Sequence, residues 1–113
     1  MTEYLNSKKY DLEDRTFNFA KEVIKFVNGL SKTLSNIEIG KQLVRSAGSI
    51  GANYIEANES LGKKDFAMKI RICRKEAKES RYWLMLLNLE IPSLIQESTE
   101  LMKIFGAILE KVK

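Results

Sequence analysis

A single proline, Pro92, stands in a chain of 113 residues that also holds only six glycines. Sandwiches and barrels need turn chemistry about every 8–12 residues, and this chain does not carry it. Proline and glycine are the residues that interrupt helices, so their scarcity favours a few long ones. Hydrophobic residues make up 44% of the chain and charged residues 30%, which suits one core and a single domain spanning 1–113. The longest apolar runs, such as Trp83 to Leu87, fall far short of the roughly 18 residues that a membrane span requires. The opening MTEYLNSKKYDLED has neither the apolar stretch of a secretory signal nor the Arg-rich bias of a transit peptide. The cytoplasm is the expected compartment, with no membrane partner.

Helical periodicity appears four times. Residues 1–10 show no sustained pattern and read as a loose arm. The first helix is expected to start at Asp11, whose side chain suits the free amides of a first turn. Phe19, Val23, Phe26, Val27 and Leu30 then recur at three- and four-residue steps, forming one apolar face. Ser35 or Asn36 is expected to cap a second helix with Ile39, Leu43, Ile50, Tyr54 and Ala57 on its apolar stripe. Within it lies SAGSIGA, residues 46–52, in which only Ile50 is large. Glycine inside a helix costs about 1 kcal/mol relative to alanine, and close packing against a neighbouring backbone is the expected compensation. A phosphate-binding loop is the sharper reading of such glycines, but there is no G-x-x-x-x-G-K-[ST] pattern.

After a Gly62–Lys63–Lys64 corner, a third helix carries Phe66, Cys73, Ala77, Ser80, Leu84 and Leu87 on one side, with Ile70 on the flank. The segment LEIPS, Leu89 to Ser93, is expected to end it at Pro92. Leu94, Leu101, Phe105, Ile108, Leu109 and Val112 mark a fourth. Four amphipathic helices joined by short loops predict an all-α, antiparallel up-down-up-down four-helix bundle.

Charge is distributed unevenly along this frame. From Lys63 to Arg81 there are eight basic residues (Lys63, Lys64, Lys69, Arg71, Arg74, Lys75, Lys78, Arg81) against three acidic ones (Asp65, Glu76, Glu79), a local charge of +5. The whole chain carries +4, so everything else sums to −1. Lys64, Arg71, Arg74, Lys75, Lys78 and Arg81 cluster opposite the apolar side, with Lys63 at the corner. Such a row can track a phosphate backbone, which makes these residues candidates for binding RNA or DNA. A merely solvated helix face is the plainer alternative.

A second polar set lies on the second helix. Gln42, Arg45, Ser49, Asn53 and Glu56 fall at spacings of three or four beside the apolar stripe. Glu76 and Glu79 on the third helix border its apolar side, and a carboxylate near a core needs a partner, for which Arg45 is the natural choice. A register-setting network of hydrogen bonds and ion pairs is one reading of this set; a ligand or subunit contact is the other. Without histidine the chain lacks the Glu-x-x-His motif of bundle metal sites. No nucleophile–base arrangement is recognisable either. Neither an enzyme, a metal nor a cofactor is therefore expected, and Cys73 reads as a small buried side chain.

The pattern Gln-x-x-Arg at Gln42 and Arg45, then Ser-Ile-x-x-Asn with a further Glu at Ser49, Ile50, Asn53 and Glu56, continues into the run Lys-Glu-Ala-x-Glu-Ser-x-Tyr-Trp-Leu from Lys75 to Leu84. Over residues 37–87 this resembles the small bacterial four-helix-bundle proteins encoded within intervening sequences of 23S ribosomal RNA genes. Gly51 departs from the family, which often has proline or another small residue there. The resemblance implies a basic bundle that assembles as a homopentameric ring. It extends to the accessory protein of diversity-generating retroelements, which implies nucleic acid and a reverse transcriptase as partners. It carries over no catalytic residue. The alternative to a nucleic-acid role is a scaffold that recognises another protein.

Overall fold

The computed structural model describes the backbone of residues 2–87 and 91–112, and the side chains of 12–87 and 91–112. It contains four helices: α1 (Thr2–Asn28), α2 (Leu34–Asn58), α3 (Lys63–Leu86) and α4 (Pro92–Lys111). The first begins nine residues before Asp11, so residues 2–10 are helical rather than a loose arm and Asp11 is not a cap. No glycine or proline occurs upstream of Asp11 to stop the helix from extending.

The cap of α2 is Thr33, in place of Ser35 or Asn36. Its backbone is extended and its hydroxyl accepts from the Asn36 amide at 3.2 Å, while the Asn36 side chain donates back to the Ser31 carbonyl at 3.0 Å. Gly62 is the N-cap of α3. That helix ends at Leu86, before the LEIPS segment, of which Leu89 and Glu90 lie outside the described residues. Pro92 starts α4 instead of stopping α3, because the first position of a helix has no need of the missing N–H.

Pairwise contacts set the direction of each neighbour. Between α1 and α2, Thr16 lies against Gly51 and Val27 against Gly40. Between α2 and α3, Arg45 meets Glu79 while Glu56 meets Lys69. Between α3 and α4, Arg74 lies over Gly106 and Arg81 bonds Thr99. At each seam a rising number on one helix meets a falling number on the next, so sequential helices run antiparallel. Among the described residues, the α1/α4 seam that closes the bundle is the sparsest of the four.

The core follows the periodic faces. Val23, Leu43, Ile50, Ile70, Cys73, Ala77, Leu101 and Phe105 are fully buried, and Tyr54 packs its ring 6.0 Å from Phe105. Each fully buried aliphatic or aromatic side chain stabilises the fold by about 1.5–3 kcal/mol before entropy is counted. Four hydroxyls sit among them. Ser46 and Ser80 share a hydrogen bond of 2.8 Å across the α2/α3 seam. With one hydrogen each, one serine donates across the seam and the other to the carbonyl within reach on its own helix, Leu43 for Ser46 or Glu76 for Ser80. Thr16 bonds the Glu13 carbonyl and Ser98 the Ile95 carbonyl. Buried hydroxyls are thus satisfied as burial demands.

The glycines of α2 divide in an unexpected way. A Cβ on Gly40 would come within 2.9 Å of Val27, and one on Gly51 within 3.1 Å of Thr16, so both mark close approaches to α1. Gly48, inside SAGSIGA, would meet nothing within 4 Å, and is not a packing glycine. Substitution should therefore have opposite signs at two positions of one helix. Val27 is β-branched and held to one rotamer in a helix, so Gly40→Ala is expected to destabilise by about 1–3 kcal/mol. Gly48→Ala is expected to stabilise by about 0.5–1 kcal/mol. Urea unfolding of the two variants beside the parent measures both.

Candidate nucleic-acid interface

The two polar sets take different positions in the fold. Arg45 spans the α2/α3 seam, its guanidinium 3.2 Å from one Glu76 oxygen and 2.8 Å from Glu79. The Glu76 side chain is only 8% accessible, so Arg45 supplies the counter-charge that a buried carboxylate requires. The Glu76 hydrogen bond and the nearby carboxylates raise the Arg45 pKa above its ordinary value, against a smaller opposing effect of burial. Lys69 bonds Glu56 at 3.0 Å across the same seam, which raises the Lys69 pKa.

The rest of that stripe does not join them. The Asn53 amide turns back to the Ser49 carbonyl of its own helix at 2.8 Å, and Gln42 is exposed. Gln42, Arg45, Ser49, Asn53 and Glu56 therefore form no single site: Arg45 with Glu76 and Glu79, and Glu56 with Lys69, fasten α2 to α3. Trp83, on the same border of α3, buries its indole N–H with no hydrogen-bond partner among the described residues.

The basic set splits as well. Arg81 is half-buried and donates to the Thr99 hydroxyl at 3.0 Å, while the Arg74 guanidinium lies over Gly106, 3.8 Å from where a Cβ would stand. Both border α4, but Arg74 stays exposed and, unlike Arg81, has no hydrogen-bond partner among the described residues. Lys63, Lys64, Arg71, Lys75 and Lys78 are exposed and belong to none of the ion pairs found among the described residues. At 100° per residue Lys64, Arg71, Lys75 and Lys78 share the outward face of α3. Positions 99, 103 and 106 form one row on α4, and contacts of Thr99 and Gly106 with α3 place that row along the basic face. Lys103, exposed on this row, thus adjoins the cations; isolated in sequence from the basic segment, it becomes a candidate only once α4 is docked.

Elsewhere α1 is tied to α4 by Arg15, which bonds Glu97 at 2.6 and 3.0 Å and Glu100 at 3.1 Å. The Gln96 amide and then the Arg15 guanidinium hold Glu100 below the usual carboxylate range. Beside this tie an open groove of about 880 Å³ separates α1 and α4, with Phe19, Phe26, Leu30, Ile91 and Leu94 among its lining residues. Among the described residues no three His, Cys, Asp or Glu side chains gather as a metal site would need.

Two measurements check these assignments. Arg45→Met leaves Glu76 without its main partner and is expected to cost about 1–3 kcal/mol of unfolding free energy; adding Glu76→Met should recover most of the loss, because the stranded carboxylate is then gone. Cys73 is fully buried, with its thiol directed at the Ile50 carbonyl at 3.5 Å, and burial pushes its pKa from an ordinary 9.0 to about 12. A thiol reagent at pH 8 should modify it only after unfolding. The raised pKa also means that its contribution to stability is complete below pH 9 and is lost as pH climbs toward 12. A Cys73→Ser variant should lack that alkaline component in pH-dependent unfolding.

Comparison with known proteins supports the architecture. A crystal structure of a protein of unknown function from the S23 ribosomal protein family of Bacteroides thetaiotaomicron is 32% identical, with a TM-score of 0.82, over 91% of this chain and 98% of that one. No curated protein matches the chain. The model of the 23S rRNA-intervening sequence protein family matches residues 8–107. With nearly the whole bundle inside that match, the chain belongs to the 23S rRNA-intervening sequence protein family.

Proposed function

We propose that the chain is a non-enzymatic, oligomeric helical bundle of the cytoplasm that binds RNA or DNA through the outward face of α3. The observation that carries this reading is the set Lys63, Lys64, Arg71, Lys75 and Lys78, exposed and outside the described ion pairs. Cations that a fold uses for its own cohesion are paired, as Arg45, Lys69 and Arg15 are; those left in solvent on one helix face create a field suited to phosphates. Acting beside a nucleic-acid-processing enzyme such as a reverse transcriptase is the partner role implied by resemblance.

Oligomerisation has its own support. Phe17, Ile24, Ile37 and Ile55 on α1 and α2 are 63%, 45%, 42% and 53% exposed, and Gly48 adds an open backbone surface on α2. A second copy covering such side chains would gain apolar burial, and several copies would sum their basic faces. The number of copies implied by resemblance is five. A scaffold role toward a partner protein is the second reading, favoured by the apolar groove between α1 and α4.

Fluorescence anisotropy with structured RNA and duplex DNA tests the binding claim. With about four phosphate contacts, log affinity should fall with log salt at a slope near −3 to −4. Arg71→Glu with Lys78→Glu should reduce that slope by about two. Salt-insensitive binding, or binding unchanged by the double substitution, would count against it. Light scattering should give a multiple of the 13.0 kDa chain mass, and Phe17→Glu with Ile55→Glu should return it toward one copy. A monomeric parent at micromolar concentration would refute the assembly.

A further inference from the structure

The basic face of α3 does not end in solvent-loving residues. Continuing the row Arg71, Lys75, Lys78 by another four-residue step reaches Tyr82, which lies on the same side of the helix. The row from Arg71 to Tyr82 covers about 16 Å of helix. Tyr82 is 57% exposed, so one face of its ring is open to solvent. Its ring meets Trp83 nearly edge to face, centroids 5.1 Å apart and planes at 68°, a contact that orients a ring without covering it as a parallel stack would. Met85 and Leu86, 50% and 48% exposed, follow one turn on and give that end of the face an apolar border.

We propose that Tyr82 is a base-stacking platform at the end of the cation row, and that the preferred ligand is single-stranded or looped nucleic acid, whose unpaired bases can reach it, rather than continuous duplex. This rests on the nucleic-acid reading above and narrows its ligand class. The chemistry is specific to the juxtaposition. Cations track a phosphate backbone in either form, but a duplex keeps its base faces inside its own stack and has none to offer an exposed ring. A single strand brings both features at once: phosphates for Arg71, Lys75 and Lys78, and a free π-face for Tyr82.

The test uses the whole 113-residue chain. Anisotropy is measured at low salt with a labelled 20-nucleotide single strand and with the duplex of the same sequence, for the parent, Tyr82→Ala, Tyr82→Phe and Arg71→Glu/Lys78→Glu. Emission of Trp83, the chain's one tryptophan, is followed in parallel. The expected result is tighter binding of the single strand, about tenfold weakened by Tyr82→Ala, restored by Tyr82→Phe and leaving duplex binding unchanged, with Trp83 emission altered by the single strand alone. Equal affinity for both forms, insensitive to Tyr82→Ala yet abolished by the charge reversals, overturns the platform and leaves the basic face standing. Binding of neither form by the parent overturns both. A change in the mass of the assembly in Tyr82→Ala also overturns the platform, because Tyr82 would then belong to a contact between copies.

Discussion

The seam between α2 and α3 is the constraint on which the other helices depend. Two serines, Ser46 and Ser80, meet across it at 2.8 Å, and only small side chains allow helices to approach so closely. Ala47 and Ala77 are buried on the same helices. The polar edge of the seam is held by Arg45 against Glu76 and Glu79 and by Lys69 against Glu56. A purely apolar seam of small residues would tolerate sliding by a helical turn. The charged pairs penalise such a slip, because it would strand the Glu76 carboxylate where water scarcely reaches it.

With α3 so fixed, its remaining surfaces have set directions. One face is consumed by the core through Ile70, Cys73, Ala77 and Leu84. One border is consumed by α2, and the other meets α4, where Arg81 bonds Thr99 while Arg74 stays exposed alongside Gly106. What is left carries Lys64, Arg71, Lys75, Lys78 and Tyr82 together. The positive charge available to a partner is thus smaller than the total on the helix, and more narrowly aimed. Lys103 on α4 restores part of it from outside the segment.

The opposite side of the bundle is built differently. Val27 against Gly40 and Thr16 against Gly51 bring α1 close to α2, whereas α1 reaches α4 chiefly through the Arg15 carboxylate pairs and leaves a groove beside them. These pairs are half-buried, and Arg15 grips Glu97 with two parallel bonds, so among the described residues this seam is held by polar contacts more than by apolar packing. Exposed apolar side chains occur on α1 and α2, at Phe17, Ile24, Ile37 and Ile55, and on α3 at its C-terminal end, at Tyr82, Met85 and Leu86.

Helix count, most of the core, the excess charge of residues 63–81 and the Arg45–Glu76 pairing were all legible in the sequence. Each depends on spacing along one helix or on the rule that a carboxylate near a core needs a counter-charge, and 3.6-residue periodicity is a property of the local chain. The start of α1 at Thr2 and the Thr33 cap were misjudged because helix ends are decided by small local competitions among several adequate residues. Other features required the packed molecule. Gly48 and Gly51 look alike in SAGSIGA, yet only Gly51 meets α1, since rotation about the helix axis decides which glycine faces a neighbour. Likewise Arg81 and Lys78 are equivalent cations in sequence, but docking of α4 gives one a hydroxyl partner and leaves the other in water. The sequence alone determines which residues share a helix face; tertiary structure decides which face is covered, because that depends on how residues distant in the chain come together.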